Sequence, residues 1–280
     1  MTDVLDPAQT AQELAGSFSG EAAFRACNIT TGEEISYRPD RVMPTASTIK
    51  VLVLAELFRQ VDAAAIGLDT GVSMVESDRR GGSGILKDLS PTLSLPLRDY
   101  ATLMIALSDN VATAVLVRLL GRERILKSAE KWGLTQTSFG FVSGGDPRHY
   151  AASTPRDITR LMELIATDAI VSPNACQHMR DILLTQQYHD QIGRYLPYSQ
   201  YRRTGGPVVV RSKSGFMQGI RVDAGIVDLS GAVRYVLCLM TEGSSDTSFS
   251  AEHEGAVLNG RISRLIFDAW WPRDVPMGEA

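Results

Sequence analysis

Cysteine is scarce in this chain, with only Cys27, Cys176 and Cys238 among 280 residues. The three are far apart and odd in number, so they indicate neither a disulfide framework nor a zinc site. We expect them to be reduced thiols inside the protein. No other pattern typical of a metal or cofactor site is present, and we expect a protein without a cofactor.

Positive charge is not concentrated in any segment, and apolar runs are short. The formal net charge is −4, which does not favour a nucleic-acid partner. No apolar run reaches the length of a membrane span. The opening residues, MTDVLDPAQTAQELAG, are acidic and amphipathic and do not resemble a secretory signal. We therefore expect a cytoplasmic protein with a small-molecule substrate, or a secreted one if a leader had been removed. The sequence does not predict the oligomeric state.

Three common enzyme signatures, G-x-S-x-G, H-E-x-x-H and C-x-x-C, are also missing. Their absence argues against a nucleophile elbow, a zinc peptidase and a dithiol redox site. What remains is an ordinary globular composition, 44% apolar and 21% charged. A chain of this length suits one large domain or two tightly packed ones.

Strand patterns lie at both ends of the chain and helix patterns in its middle. Residues 21–37 read as a strand, a turn and a strand, and β-branched segments recur over 206–242. The simplest solution is a mixed α/β (α+β) fold, in which one antiparallel sheet from both termini is flanked by helices and carries an inserted all-helical lobe. We expect a sheet domain over 1–62 and 206–280, a helical domain over 63–205, and an active site between them.

The stretch MPTASTIKVLVLAEL (43–57) places Ser47 and Lys50 at the head of an apolar helix. Residues three apart share one helix face. A serine hydroxyl becomes a nucleophile when a base takes its proton, and a neutral lysine can be that base if burial and nearby positive charge lower its pKa. The alternative is a lysine whose head snorkels to the surface. A second S-x-x-K, SAEK (128–131), lies in a helix rich in charge, which we interpret as a solvated face.

Two further triplets strengthen the catalytic interpretation. SDN (108–110) interrupts an apolar helical stretch, and KSG (213–215) ends a β-branched strand. Taken singly, Ser108 could be a helix N-cap, Asn110 a turn residue and Lys213 a charge that protects an edge strand. Taken together with S-x-x-K, the triplets form a known catalytic set, with serine in place of threonine in the last motif.

The motifs follow in the order STIK, SDN, KSG, with 61 residues from Ser47 to Ser108 (108 − 47) and 105 from Ser108 to Lys213 (213 − 108). In this order and at these intervals they resemble the motifs of the serine β-lactamases of class A and the related penicillin-recognising peptidases. Three further segments also resemble sequences of that family: TG (31–32), STP (153–155) and DAGIV (223–227). The resemblance extends over nearly the whole chain. It implies the same order of strands and helices that the patterns above predict.

The resemblance also implies roles for individual residues. Ser47 would be the acylated nucleophile and Lys50 its base partner. Ser108 would pass a proton to the leaving nitrogen, and Asn110 would hold the side-chain amide of the substrate.

The same resemblance implies the groups that would bind and polarise the substrate. Lys213 would add positive charge near Ser108, and Ser214 would bind a substrate carboxylate. The backbone N–H groups of Ser47 and Phe216 would form an oxyanion hole. Arg221 lies close to the position of a carboxylate-binding arginine, although it could equally be a surface cation on a strand.

The chain departs from class A enzymes in the loop over 134–155. Those enzymes carry E-x-x-L-N there, and its glutamate activates the water that clears the acyl-enzyme. This loop contains neither glutamate nor asparagine. Asp146 and His149 are the nearby candidates for a substitute base. The alternatives are a turn residue for Asp146 and a histidine facing solvent for His149.

The sequence therefore predicts a serine hydrolase that forms an acyl-enzyme on Ser47 with a β-lactam-like, ester or amide substrate. One alternative is an esterase, peptidase or acyltransferase acting on a cytoplasmic metabolite. Another is a penicillin-binding pseudoenzyme that is acylated, or merely binds, without turnover.

Overall fold

The structure, a computed structural model, describes residues 6–140, 146–201, 204–229, 231 and 233–271. The α-helices of these residues are α1 (Pro7–Gly16), α2 (Lys50–Asp62), α3 (Leu97–Ala106), α4 (Asn110–Leu120), α5 (Arg122–Lys131), α6 (Pro155–Ala166), α7 (Pro173–Leu183) and α8 (Glu254–Trp270). The strands are β1 (Glu21–Asn28), β2 (Glu34–Tyr37), β3 (Met43–Pro44), β4 (Gly71–Ser73), β5 (Ser94–Pro96), β6 (Ser138–Phe139), β7 (Ala151–Ser153), β8 (Val208–Met217), β9 (Ile220–Leu229) and β10 (Val233–Glu242).

Several helices begin where a capping side chain precedes a proline. The side chains of Asp6, Thr154 and Ser172 each accept a hydrogen bond from a backbone N–H in the first turn of α1, α6 and α7. The next residue in each case is proline, whose fixed φ suits the first helical position and whose missing N–H is not needed there. These starts follow from local sequence alone.

The main sheet is built from both ends of the chain, as the sequence predicts. Its strand order is β2-β1-β10-β9-β8, and every neighbouring pair is antiparallel. The predicted α/β fold with an antiparallel sheet flanked by helices is confirmed. The structure adds two small sheets, β3-β7-β6 and β4-β5. All their strands except β3, which precedes α2, lie in the helical middle of the chain. The domain boundaries at 62 and 206 stay a prediction.

Two hydrophobic cores lie on opposite faces of the sheet. Alternate side chains of β9 point to opposite faces. Val222 and Ala224 therefore join the core that contains α2, whereas Val227 and Leu229 join the core that contains α8. Helix α6 packs on the same face as α2, and α1 packs with α8 on the other. Strand β8 forms one edge of this sheet, with the head of α2 against it.

The second S-x-x-K motif, SAEK (128–131), does not lie wholly on a solvated helix face as predicted. Ser128 is buried, and its hydroxyl donates a 2.6 Å hydrogen bond to the buried carboxylate of Glu56 in α2. Only Lys131 of this pair is exposed. The prediction was wrong for the serine because α5 packs that side of the helix against α2. Ser128 therefore has a structural partner of its own.

The three cysteines are free thiols. Cys176 and Cys238 are buried and Cys27 is half-buried. Burial raises the pKa of the Cys238 thiol well above its usual range, so this thiol is unreactive. No helix among the described residues is both long and apolar enough to cross a membrane.

Candidate active site

Ser47 lies in a tight turn that leads into α2. Residues Ala46–Ile49 form a short 3-10 helix, and Lys50 opens the α-helix directly after it. Ala46 holds a left-handed φ of 45°, a conformation that L-residues with a β-carbon seldom adopt. A β-carbon added to Gly215 of β8 would lie 2.8 Å from the Ser47 nitrogen. Glycine at position 215 therefore lets the edge strand approach the backbone of Ser47.

Lys50 is fully buried and points at the SDN motif. Its Nζ donates to the carbonyl oxygen of Ser108 at 2.8 Å, to the Ser108 hydroxyl at 3.1 Å and to Oδ1 of Asn110 at 2.8 Å. Burial lowers the pKa of Lys50 well below its usual range, and the nearby charge of Lys213 lowers it further. The charge of Asp109 acts in the opposite sense. The snorkelling alternative for Lys50 is wrong because its exposed fraction is 0%.

Asp109 holds the SDN turn in place. The oxygens of its fully buried carboxylate accept four backbone N–H bonds of 2.7 to 2.9 Å. The donors are Val111 and Ala112 at the start of α4 and Ile85 and Leu86 in the preceding loop. Asp109, rather than Ser108, is thus the N-cap of α4, and Ser108 takes a left-handed φ of 53°. This turn aims Ser108 and Asn110 at Lys50.

Asn110 links Lys50 to the glycine-rich loop of residues 81–84. Its Nδ2 donates to the carbonyl oxygen of Gly81 at 2.9 Å, while its Oδ1 accepts from Lys50. A β-carbon on Gly82 would lie 2.8 Å from Nδ2 of Asn110. Asn110 is therefore a fixed bridge between the loop and the lysine, not a simple turn residue.

The KSG motif lies inside β8, two residues short of its end. Lys213 is fully buried, which rules out the edge-protecting role. Its Nζ donates to the carbonyl oxygen of Ser214. Burial lowers the pKa of Lys213 to about 7, against the opposing effect of the Asp223 carboxylate. The hydroxyl of Ser214 is buried and has no hydrogen-bond partner among the described residues.

Ser47, Asn110 and Phe216, which follows the KSG motif, line one open cleft of about 580 Å³. The buried side chains of Lys50, Ser108, Lys213 and Ser214 lie behind these residues and do not line it. The cleft is lined by Ala46, Ser47, Arg80, Gly81, Gly82, Ser83, Asn110, Tyr150, Phe216, Met217, Gln218 and Phe249. Among these described lining residues there is no carboxylate and no imidazole. Ser47 is therefore accessible from the cleft, and the described lining residues include no aspartate, glutamate or histidine that could act as a general base beside it.

The two candidate bases of the loop lie elsewhere. Asp146 and His149 are both exposed, and neither lines the cleft. The Asp146 side chain caps a short 3-10 helix, Pro147–His149, by accepting a 2.9 Å bond from the backbone N–H of Arg148, and this bond lowers the pKa of Asp146. Residues 141–145 of the same loop lie outside the described residues.

Arg221 is buried, so the surface-cation alternative is wrong. Its guanidinium donates to the carbonyl oxygens of Met217 at 3.0 Å, Ile220 at 2.8 Å and Ser248 at 2.6 Å. It lies opposite Phe216 in the register of β8 and β9. Carboxylate binding by Arg221 stays a prediction.

Three contributors to the site, Asp109, Gly215 and Phe249, were given no individual role from the sequence, although the first two belong to the SDN and KSG motifs. Asp109 could have been given one, because aspartate before an apolar helix is a strong N-cap signal. Gly215 and Phe249 could not, because their importance comes from contacts with distant segments of the chain.

The antiparallel sheet, the helical insertion and three motifs around one cleft define the β-lactamase/transpeptidase-like class of folds. The chain belongs to the beta-lactamase enzyme family, whose sequence profile matches residues 6–270. No curated protein matches the chain.

Several solved structures are similar to this protein over nearly its whole chain. The β-lactamase from Sphaerobacter thermophilus DSM 20745 is 27% identical with a TM-score of 0.84, over 94% of this chain and 95% of that one. PBP-A is 25% identical with a TM-score of 0.82, over 95% of this chain and 96% of its own. The TLA-1 extended-spectrum β-lactamase is 16% identical with a TM-score of 0.82, over 94% and 97%, and shares the fold alone.

Proposed function

We propose that this protein is a serine hydrolase that forms an acyl-enzyme on Ser47 with a β-lactam-like lactam, an ester or an activated amide. This proposal rests mainly on the burial and the lowered pKa of Lys50. Its amine is fully buried and has a pKa well below the usual range, and the residue follows Ser47 by three positions. A lysine that is neutral at working pH can accept a proton, which an exposed lysine cannot do efficiently.

In the proposed reaction the Ser47 oxygen attacks the carbonyl carbon while its proton passes to Nζ of Lys50. The backbone N–H groups of Ser47 and Phe216 stabilise the oxyanion of the tetrahedral intermediate. The close packing of Gly215 on the Ser47 nitrogen supports this, because it brings the N–H of the next residue near the nucleophile. The carbon–nitrogen or carbon–oxygen bond then breaks, and Ser108 passes a proton from Lys50 to the leaving atom.

Substrate binding is assigned to the same cleft, of which Asn110 lines the wall, and to the buried Ser214 and Lys213 next to Phe216 of that wall. We assign a substrate carboxylate to Ser214 and Lys213, since the Ser214 hydroxyl is buried without a partner among the described residues and Lys213 lies beside it. Asn110 would hold an amide of the substrate. Its side chain already bridges Lys50 and the loop, so the substrate would compete with the contact to Gly81.

Removal of the acyl group is proposed to be slow for β-lactams. The described cleft wall carries no carboxylate, and loop 134–155 has no glutamate. General-base help is typically worth about 10² to 10⁴ in rate. The penicilloyl ester should therefore form faster than water removes it. Small esters, whose alcohol product leaves at once, should turn over with Lys50 acting as base in both half-reactions.

Intact-mass spectra taken over time with benzylpenicillin test this proposal. A mutant of PBP-A was solved as an acyl-enzyme complex with penicillin G, which makes the same compound a suitable first probe. The expected result is a persistent mass increase equal to the whole penicillin. Rapid loss of penicillin without an adduct would contradict the slow removal of the acyl group and would indicate a substitute base. His149→Ala and Asp146→Asn would then be the variants to test.

The missing carboxylate also favours a second candidate, a penicillin-binding pseudoenzyme that is acylated once. Turnover of p-nitrophenyl esters and of a chromogenic cephalosporin separates the candidates. Ester turnover with trapped penicillin indicates an esterase, peptidase or acyltransferase that acts on a metabolite. Stoichiometric labelling without any turnover indicates the pseudoenzyme.

A further inference from the structure

The guanidinium of Arg221 is enclosed at one end of the cleft. Its edges donate to three backbone carbonyl groups, of Met217, Ile220 and Ser248. Its carbon Cζ lies 5.5 Å from the ring centre of Phe216 and 5.5 Å from that of Phe249. Nε of the same guanidinium is buried and has no hydrogen-bond partner among the described residues. The three carbonyl groups therefore fix the two Nη atoms, and the neighbouring rings cover the cation.

The aromatic rings next to Arg221 face the cleft. Phe216 and Phe249 both line it together with Ser47. The ring of Tyr188 meets Phe216 edge to face, with 5.5 Å between ring centres. Phe249 is 69% exposed. An exposed phenylalanine held on one side by a buried cation is a rigid apolar surface whose other side is open to a ligand.

We propose that Phe249, held against Arg221, is a specificity-determining residue that receives a flat apolar group of the substrate. This inference rests on the proposed acylation of Ser47 and names the kind of substrate. The contact would be a ring stacked on the Phe249 ring, a geometry that aromatic pairs favour. The group would occupy the same cleft as the scissile carbonyl, because Phe249 and Ser47 both line it.

The position of Arg221 explains why the single exposed ring of Phe249 can bind an apolar group of the substrate. A free phenylalanine in a loop would lose side-chain freedom on binding. Stacking on the guanidinium restricts that freedom beforehand, and the hydrogen bond from Arg221 to the carbonyl oxygen of Ser248 anchors the residue next to Phe249. The binding surface is therefore formed before the ligand arrives.

The test compares benzylpenicillin with aminopenicillanic acid. Benzylpenicillin carries a phenylacetamide side chain, and aminopenicillanic acid has the same bicyclic ring system with a free amine in place of that amide and its phenyl ring. In Phe249→Ala, the Ser47 acylation rate with benzylpenicillin should fall by about three- to tenfold, the range of one aromatic contact. The rate with aminopenicillanic acid should fall by a clearly smaller factor, because this compound has no ring to stack on Phe249. Phe249→Leu, which keeps an apolar side chain but no ring, should resemble Phe249→Ala.

Tyr201→Ala is the matched control, because Tyr201 is 90% exposed and lines a different cavity. It should leave both rates unchanged. An unaltered ratio of the two rates in Phe249→Ala would overturn the inference while leaving the proposed acylation intact.

A binding experiment that needs no acylation separates the two proposals. The Ser47→Ala protein is titrated with para-fluorophenylacetamide and followed by fluorine NMR. Binding that is lost when Phe249→Ala is added supports the aromatic subsite even if neither penicillin labels Ser47. Absence of binding, or binding that Phe249→Ala leaves unchanged, overturns the inference.

Discussion

Replacing Lys50 with arginine should abolish most of the acylation of Ser47. The substitution keeps a positive charge and several N–H donors at the head of α2. It removes the property on which the proposed mechanism depends, a base that can be neutral at working pH. Arginine stays protonated under all ordinary conditions.

The size of the loss follows from the environment of the amine. A lysine with the ordinary pKa of about 10.4 is neutral in roughly one molecule in a thousand near pH 7.4, and each unit of lowering raises that fraction about tenfold. Burial and the charge of Lys213 produce such a lowering at Lys50. Removing a general base typically costs about 10² to 10⁴ in rate. We therefore expect Lys50→Arg to slow acylation by at least about 100-fold.

The assay is the time course of the penicilloyl adduct in intact-mass spectra. Lys131→Arg is the matched control, because it makes the same change in the second S-x-x-K motif at an exposed site. It should leave the rate unchanged. Since the larger guanidinium enters a fully buried space, overpacking of about 1–3 kcal/mol is expected, and thermal melting must show that Lys50→Arg is folded. A folded Lys50→Arg protein that acylates at the normal rate would refute the reasoning.

The nucleophile, the SDN turn and the second lysine each yield a further prediction. Ser47→Ala should abolish the penicillin adduct and Ser128→Ala should keep it, whereas peptide mapping of the adduct to Ser128 would contradict the assignment of the nucleophile. Asp109→Ala should lower the free energy of unfolding by about 3 kcal/mol or more, because buried N–H groups left unpaired cost about 1–3 kcal/mol each, and an unchanged denaturation midpoint would count against this role. The pKa of Lys213 is lowered to about 7 by burial, so its positive charge is present below that pH and lost above it. The acylation rate for a penicillin relative to that for a neutral ester should therefore fall as pH rises through about 7, and a ratio that does not vary with pH would show that Lys213 does not bind the carboxylate.

Much of the fold follows from local patterns. The caps at Asp6, Thr154 and Ser172 are visible as a polar residue before proline, and the structure uses all three. The β-branched segments near the carboxyl end become β8 to β10. Such features are determined by neighbours within a few residues, so a sequence pattern is sufficient to find them.

Sequence patterns are insufficient where burial decides the outcome. Ser128 and Arg221 are polar residues in segments whose patterns allow an exposed position, yet packing against α2 and between two phenylalanine rings buries them. A sequence pattern reports which face is apolar, and it does not report which polar groups find a partner inside. The edge-charge alternative for Lys213 fails for the same reason, because that side chain is fully buried.

The sequence by itself determined the residue types that chemistry needs and their order along the chain: Ser47 with Lys50, Ser108 with Asn110, and Lys213 with Ser214. Only the tertiary structure decided that they lie against one another. Lys50 and Ser108 are 58 residues apart, and Nζ donates to the Ser108 hydroxyl in a turn that Asp109 ties to the loop before it. The lowered pKa of Lys50 likewise exists only in the folded chain, because desolvation and the charge of Lys213 act through space and not along the sequence.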